Sequence, residues 1–181
     1  MYSPFFSNRS LIMRTCFLIF CCVFFTATVH AACNSNMPAS TPDSQLIDNG
    51  NGTVTDSKTG LMWKQCLEGL SGNDCATGTA TTFTWQQALQ QPGVVNGTGF
   101  AGYTDWRLPN IRELRSIVEE QCFNPTINTT RFPNTPSSYV WSGSPSTDGL
   151  DNAWYVNFEY GRSDADNRSS NYAVRLVRNA Q

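Results

Sequence analysis

The chain has 181 residues, seven cysteines, a single histidine and a formal net charge of −2. A weakly acidic chain with scattered arginines does not fit binding to nucleic acid or to an anionic membrane surface. The only histidine is His30, so residues 32–181 cannot form Ser-His-Asp or Cys-His catalytic groups or a histidine-containing zinc site.

Residues 1–31 have the features of a secretory signal peptide. Arg9 and Arg14 precede a ten-residue apolar run at 16–25, and small residues follow up to Ala31 and Ala32. The run is shorter than the roughly 20 apolar residues that a transmembrane helix needs. We therefore predict export to the periplasm, the cell surface or the medium, with cleavage after Ala31.

Cleavage at this point leaves residues 32–181, a length that suits one domain. Because two arginines leave with the signal peptide, the net charge becomes −4, and no further apolar run predicts a transmembrane segment. Lipid attachment at Cys33 is a less favoured alternative, because His30 stands where a lipoprotein signal prefers leucine. An uncleaved membrane anchor is the other alternative.

Four cysteines remain after cleavage, an even number that predicts two disulfides in an exported chain. Three pairings are open. We favour Cys66–Cys75, which closes a loop rich in Gly, Ser and Thr, and Cys33–Cys122, which ties the N-terminus to the end of a predicted helix.

The first predicted elements are three short antiparallel strands. Residues 45–48 and 53–56 flank Asn49-Gly50-Asn51-Gly52, and Asn-Gly between β-favouring runs is a strong hairpin signal. A second turn leads to the third strand, 61–64.

A capping-box pattern predicts each of two helices. Thr84 and Gln87 open the first helix at 84–91, which we expect to end at Pro92-Gly93. Asn110 and Glu113 open the second. Apolar side chains at helical spacing extend the second helix over 110–121; they are Ile111, Leu114, Ile117 and Val118.

The C-terminal third is predicted to be β-structure, with strands at 139–142, 153–160 and 172–177, each with one apolar and one outward face. The outward side chains combine aromatic rings with adaptable polar groups, a mixture typical of binding surfaces. The candidate ligand-binding residues are Tyr155, Asn157, Glu159, Tyr160, Arg162, Arg168, Asn171 and Arg175. The alternative is a solvated scaffold face whose aromatics reflect strand propensity.

Large aromatic residues elsewhere are interpreted as packing residues rather than ligand contacts. We expect Arg107, beside Asp105, to bridge loops. The aromatic residues predicted to anchor the core or the loops are Trp63, Trp85, Trp106, Trp154 and Phe158.

A cluster of acidic residues near the C-terminus raises two further alternatives. Paired carboxylates would suit a glycosidase, and oxygen ligands would suit a structural calcium ion. We interpret these acids as solvated turn residues and predict no enzyme activity, no cofactor and no metal; they are Asp148, Asp151, Glu159, Asp164 and Asp166.

Seven stretches, in their order and spacing, resemble the bacterial DUF1566 family, also called the Lcl C-terminal domain family. They are spread over most of residues 32–181, at 48–56, 59–63, 83–89, 102–110, 141–142, 153–158 and 172–178. The resemblance implies an α+β, C-type-lectin-like fold, with a mainly antiparallel sheet, two helices and long loops. It also implies surface attachment or ligand display. Members that end collagen-like adhesins are associated with sulfated polysaccharides, and related domains diversify their last strands and loops.

The sequence therefore predicts an exported, disulfide-stapled module that binds an extracellular glycan or protein through the outward face of its C-terminal strands. The alternative is a structural subunit of an extracellular fibre or envelope assembly.

Overall fold

A computed structural model describes residues 1–2 and 31–180, so most of the predicted signal peptide lies outside the described residues. Helix α1 is Trp85–Ala88, α2 is Gln91–Thr98 and α3 is Ile111–Arg115, with a 3₁₀ turn at Phe100–Gly102. The strands are β1 Ala32–Cys33, β2 Leu46–Asp48, β3 Thr53–Asp56, β4 Leu61–Lys64, β5 Leu70–Ser71, β6 Thr77–Gly78, β7 Thr82–Phe83, β8 Cys122–Phe123, β9 Tyr139–Pro145, β10 Asn152–Asn157, β11 Arg162–Asn167, β12 Tyr172–Ala173 and β13 Val177–Asn179. In the described part of the chain, no helix has the length and apolar character needed to cross a membrane.

The three predicted N-terminal strands are present and, with β13, form a four-stranded antiparallel sheet in the order β13-β4-β3-β2. The β2–β3 turn contains Gly50 and Gly52, both with positive φ, which glycine adopts without steric cost. The Asp48 carboxylate accepts a hydrogen bond from the Gly50 N–H at 2.8 Å. The hairpin signal in the sequence is thus confirmed.

A second sheet has five strands in the order β11-β10-β9-β12-β7. All its pairings are antiparallel except β12 with β9, which is parallel. Small ribbons β1–β8 and β5–β6 complete the strand pairing. Two mostly antiparallel sheets with short helices give the α+β class.

The two large sheets share one apolar core. Val54 and Trp63 from the four-stranded sheet pack with Val140, Val156 and Phe158 from the region of the five-stranded sheet. A second cluster joins the helices to the sheets; its buried members are Met62, Ala88, Val95, Trp106, Leu108, Trp141, Ala153, Val174 and Leu176. Trp63, Trp106 and Phe158 are buried as predicted, whereas Trp85 and Trp154 are partly exposed.

Both capping boxes are present, but the helix lengths were predicted wrongly. The first helical segment ends at Ala88, and Pro92 does not stop it: Pro92 lies in the first turn of α2, where its missing N–H has no partner to lose. The predicted second helix, 110–121, is only Ile111–Arg115. Beyond it, Val118 forms a β-bridge with Ile127, so extended pairing replaces further helical turns.

The predicted strand at 172–177 is also wrong as a single element. It is divided into β12 and β13, which belong to different sheets, and residues 174–176 cross the core between them. Because this crossing is enclosed by both sheets, residues 173–178 are all buried. From residue 173 onward, the expected outward face of this segment does not exist.

The structure contains the two disulfides that the sequence favoured. Cys66–Cys75 joins residues nine apart, and Cys33–Cys122 joins residues 89 apart. The second bond lies between β1 and β8 and fastens the N-terminal segment to the chain after α3.

Arg107 acts as a structural bridge, but its partner is not Asp105. Its guanidinium donates two hydrogen bonds of 2.7 Å to the Glu113 carboxylate. Asp105 instead accepts from Arg178 at 2.7 Å.

Candidate ligand-binding surface

The register of the five-stranded sheet places several polar and aromatic side chains on one face. Tyr155 of β10 lies opposite Asp164 of β11 and opposite Trp141 of β9. Directly opposed residues of antiparallel strands share a face. By the same rule, Asn157 shares this face with Arg162 and Tyr139.

We call the solvent-accessible part of this arrangement the tyrosine face. Its residues are Tyr139, Tyr155, Arg162, Asp164, Asp166 and Tyr172.

Three tyrosine rings of the tyrosine face pack against one another. The ring centroids of Tyr139 and Tyr155 are 5.2 Å apart, those of Tyr155 and Tyr172 are 5.0 Å apart, and those of Tyr139 and Tyr172 are 4.9 Å apart. Trp141, two residues after Tyr139 in β9, is fully buried, and its ring centre lies 4.5 Å from that of Tyr172. Because the rings already touch, a ligand would lie over them rather than between them.

One end of this sheet face is open. At the other end, Trp141 and Ala153 are covered by Ala88 and Val95 of the helices. Tyr139, by contrast, keeps 41% of its surface exposed. The reverse side of the sheet is closed, because α3 packs against β9 and β10 and Val156 enters the core.

Carboxylates border the tyrosine rings on the β11 side. The Tyr172 hydroxyl donates a hydrogen bond to Asp166. Burial and this hydrogen bond raise the pKa of Tyr172, while the same contact lowers the pKa of Asp166. Burial, followed by the charge of Asp164, raises the pKa of Tyr155. Tyr155 and Tyr172 therefore stay neutral at physiological pH, and Asp166 stays ionised.

The turn between β10 and β11 forms the rim of the tyrosine face. Tyr160 is 60% exposed, and its pKa is raised by a hydrogen bond to Glu159, by that carboxylate's charge and in part by Tyr139. The Asn157 side chain accepts a hydrogen bond from the Glu159 N–H at 2.7 Å, which holds the turn. Asn157 is thus a structural residue, whereas Tyr160 and Arg162 are available to a partner.

Three of the predicted binding residues lie on neither the tyrosine face nor its rim. Arg168 and Asn171 lie in the connection between β11 and β12. Arg175 was predicted to point outward, and this is wrong: it is completely buried, because residues 174–176 cross between the sheets. Its guanidinium donates to the Lys64 carbonyl at 2.9 Å and to Thr135 Oγ1 at 2.8 Å.

Arg168 belongs to a separate surface cleft of about 620 Å³. Its guanidinium lies 4.6 Å from the Trp85 ring centre, and its Nε donates to the Asn152 carbonyl at 3.2 Å. The Trp85 indole N–H donates to the Ser142 carbonyl at 2.8 Å. Both side chains that dominate the cleft are therefore held by the fold itself.

Sequence reasoning missed four members of the tyrosine face: Tyr139, Asp164, Asp166 and Tyr172. The predicted turn positions of Asp164 and Asp166 are wrong, because both residues lie in β11, a strand that the polar sequence Arg162–Asn167 does not suggest. Tyr139 and Tyr172 each stand at the start of a predicted strand, and this is the local signal that the sequence offers for them. Their closeness to Tyr155 depends on which strands are neighbours.

The acidic residues considered as calcium ligands are not gathered into a site. Among residues 1–2 and 31–180, no group of three or more His, Cys, Asp or Glu side chains could hold a metal ion. Asp148 and Asp151 lie in the turn before β10, whereas Asp164 and Asp166 lie on the tyrosine face.

Comparison with known proteins identifies the family. No curated protein matches the chain. The model of the Lcl C-terminal domain matches residues 52–178, a range that runs from the β2–β3 hairpin to β13 and includes the whole five-stranded sheet. The chain therefore belongs to the Lcl C-terminal domain family.

Proposed function

We propose that this protein is an exported binding module that holds an extracellular glycan or protein ligand on its tyrosine face. The observation that carries the proposal is the packed cluster of three tyrosines on an open sheet face. We further propose that its α+β architecture is C-type-lectin-like, with residues 32–181 acting as one domain after removal of a signal peptide.

Support for an extracellular location comes from the disulfides. Cys66–Cys75 and Cys33–Cys122 engage all four cysteines of residues 32–181. Such bonds persist in oxidising compartments and are rare in the cytosol. The signal-like sequence at 1–31 agrees with this placement.

Support for ligand binding comes from the chemistry of the exposed rings. A tyrosine provides a large contact area at a low cost in side-chain entropy, and its hydroxyl can hydrogen-bond at the edge of the contact. In the tyrosine face the rings are further held by one another and by Trp141, so little ordering remains to be done on binding. This preorganisation favours a recognition surface.

Support for binding rather than catalysis comes from the available side chains. Residues 32–181 contain no histidine, and their four thiols are oxidised. The tyrosines beside Asp164 and Asp166 have raised pKa values, which is the wrong direction for a tyrosine acting as a general base.

The test is a screen of the purified protein against glycan and peptide arrays, followed by affinity measurements on the strongest ligand. Tyr139→Ala and Tyr155→Ala should each lower affinity about tenfold or more, because truncated tyrosines at interface centres typically have effects of this size. Arg162→Ala, at the rim, should have a smaller effect.

Ile47→Ala is the matched control, because Ile47 is 49% exposed in the other sheet. Circular dichroism of every variant separates lost binding from lost folding. If the Tyr139 and Tyr155 variants stay folded and bind like the wild type, the tyrosine face is a scaffold surface and the structural-subunit alternative is preferred.

A further inference from the structure

The region that carries the tyrosine face has an excess of negative charge. Between residues 145 and 170 the chain has five carboxylates and only two arginines. Arg168 is held over the Trp85 ring, away from the tyrosines. Arg162 is the only cation of β11, and it lies on the same side of the strand as Asp164 and Asp166.

The positions of these aspartates matter more than their number. Asp164 lies opposite Tyr155, and Asp166 accepts a hydrogen bond from the Tyr172 hydroxyl. Both carboxylates thus lie along the border of the ring cluster. Tyrosine ring faces themselves carry partial negative charge and attract cations. Rings and carboxylates together produce a surface that favours positive charge.

The raised pKa of Tyr155 agrees with this description. After burial, the causes are the charge of Asp164, the neighbouring Tyr139 and the charge of Asp166. The Tyr155 hydroxyl therefore lies in a negative electrostatic potential, which disfavours a further negative charge there.

We propose that the tyrosine face binds a protein partner through lysine or arginine side chains, which lie over the tyrosine rings and pair with Asp164 and Asp166. This inference rests on the proposed function and specifies the chemistry of the ligand at the same site. A basic segment of a protein fits better than a neutral glycan, because a neutral glycan brings no positive charge to balance the two carboxylates. An acidic polysaccharide would meet like charges along β11.

The experiment compares four probes on the intact purified protein: an oligolysine and an oligoarginine peptide of about eight residues, an oligoglutamate peptide of equal length, and a heparin oligosaccharide. The wild type should bind the two cationic peptides and neither anionic probe. The double variant Asp164→Asn/Asp166→Asn should lower the affinity for the cationic peptides about tenfold or more.

A matched control separates local recognition from nonspecific attraction to an acidic protein. Asp48→Asn/Glu120→Gln changes the net charge by the same amount at residues in β2 and after α3. It should bind the cationic peptides within about twofold of the wild type. Tyr139→Ala should weaken cationic binding even though it leaves the charge unchanged, because it removes a ring face.

The outcomes distinguish this inference from the proposed function. If heparin binds and Tyr139→Ala weakens that binding, the tyrosine face is a binding site but the cationic partner is excluded. If both double variants weaken oligolysine binding equally, the attraction is nonspecific and the inference is overturned. If no probe binds, the cationic partner is likewise overturned, and the array screen with the tyrosine variants decides the proposed function separately.

Discussion

At the scale of single residues, Arg175 connects three segments of the core. Its guanidinium donates to the main-chain carbonyls of Lys64 and Gln65 and to the Thr135 hydroxyl, and it lies 4.7 Å from the Phe132 ring centre. Burial lowers the pKa of Arg175 to about 9, partly offset by the charge of Glu68. The hydrogen bonds offset the cost of burying this cation.

We therefore expect Arg175→Ala to destabilise the fold by about 3 kcal/mol, because it leaves buried acceptors without donors. Arg175→Lys should restore only part of this loss, since one ammonium cannot reproduce the planar set of donors. Urea unfolding of the two variants and the wild type measures both changes in the free energy of unfolding.

The control is Arg162→Ala, which removes an exposed arginine and should change stability by less than about 0.5 kcal/mol. A fully stable Arg175→Ala variant that had lost ligand affinity would contradict the structural role and return Arg175 to the binding residues.

The alternation of side chains along a strand explains why the prediction for Tyr155 is confirmed and the prediction for Arg175 is wrong. In β10, alternation placed Tyr155 on the side opposite Val156, and the structure agrees. The same rule placed Arg175 outward, because it assumes one strand with one solvated side. A segment that passes between two sheets has no solvated side, and the local sequence does not reveal such a crossing.

At the scale of elements, the segment after α3 is fixed by a buried carboxylate. Glu119 accepts hydrogen bonds from the N–H groups of Ser40, Thr41 and Gln121 at 2.8 to 2.9 Å, and from the Ser40 and Thr41 hydroxyls. Burial alone would raise the pKa of Glu119, but these donors outweigh it, so the pKa lies below its usual value. The carboxylate ties the N-terminal segment to the chain beyond α3.

Because the folded pKa of Glu119 lies below the unfolded value, its stabilising contribution is present above the unfolded value of about 4.3 and is lost as pH falls through the folded pKa. We expect Glu119→Gln to lower the free energy of unfolding by about 2 kcal/mol at pH 7. The difference in the free energy of unfolding between variant and wild type should narrow as the pH falls below about 4.3. Denaturant unfolding across this range measures it.

Glu120→Gln is the matched control, because this neighbouring carboxylate is exposed. It should leave the stability within about 0.5 kcal/mol of the wild type at every pH. If the difference in the free energy of unfolding between Glu119→Gln and the wild type does not depend on pH, the ionised carboxylate is not what stabilises the segment.

The element boundaries show which signals are local. The capping boxes at Thr84 and Asn110 depend on residues three apart, so the sequence predicts where each helix begins. The ends depend on competition with distant partners. Val118 pairs with Ile127, and Glu119 is held by Ser40 and Thr41, so the helical spacing of 111–118 continues into chain that is no longer helical.

At the scale of the whole molecule, the Cys33–Cys122 bond closes a separation of 89 residues and Cys66–Cys75 closes one of nine. In the chain-entropy account the long closure contributes about 4.6 kcal/mol and the short one about 2.6 kcal/mol. Cys33→Ala/Cys122→Ala should therefore lower the free energy of unfolding more than Cys66→Ala/Cys75→Ala. Equal losses in urea unfolding would contradict this order.

The tyrosine face is a property of the whole molecule, which is why the sequence predicts only part of it. The outward positions of Tyr155 and Tyr160 are predictable from the local sequence of β10 and of the turn that follows it. Tyr139 and Tyr172 join them because β9 lies between β10 and β12 in the sheet. Since β12 pairs with β9 in parallel, residues distant in the chain become neighbours. No local period contains that information.

The most direct test of the central claim is hydroxyl-radical footprinting of the protein with and without the strongest array ligand. Our account predicts that the bound ligand lowers the oxidation of Tyr139 and Tyr155 severalfold and leaves Ile47 unchanged. Protection centred on Trp85 and Leu89 of the neighbouring cleft, with Tyr139 and Tyr155 oxidised as in the free protein, would contradict it.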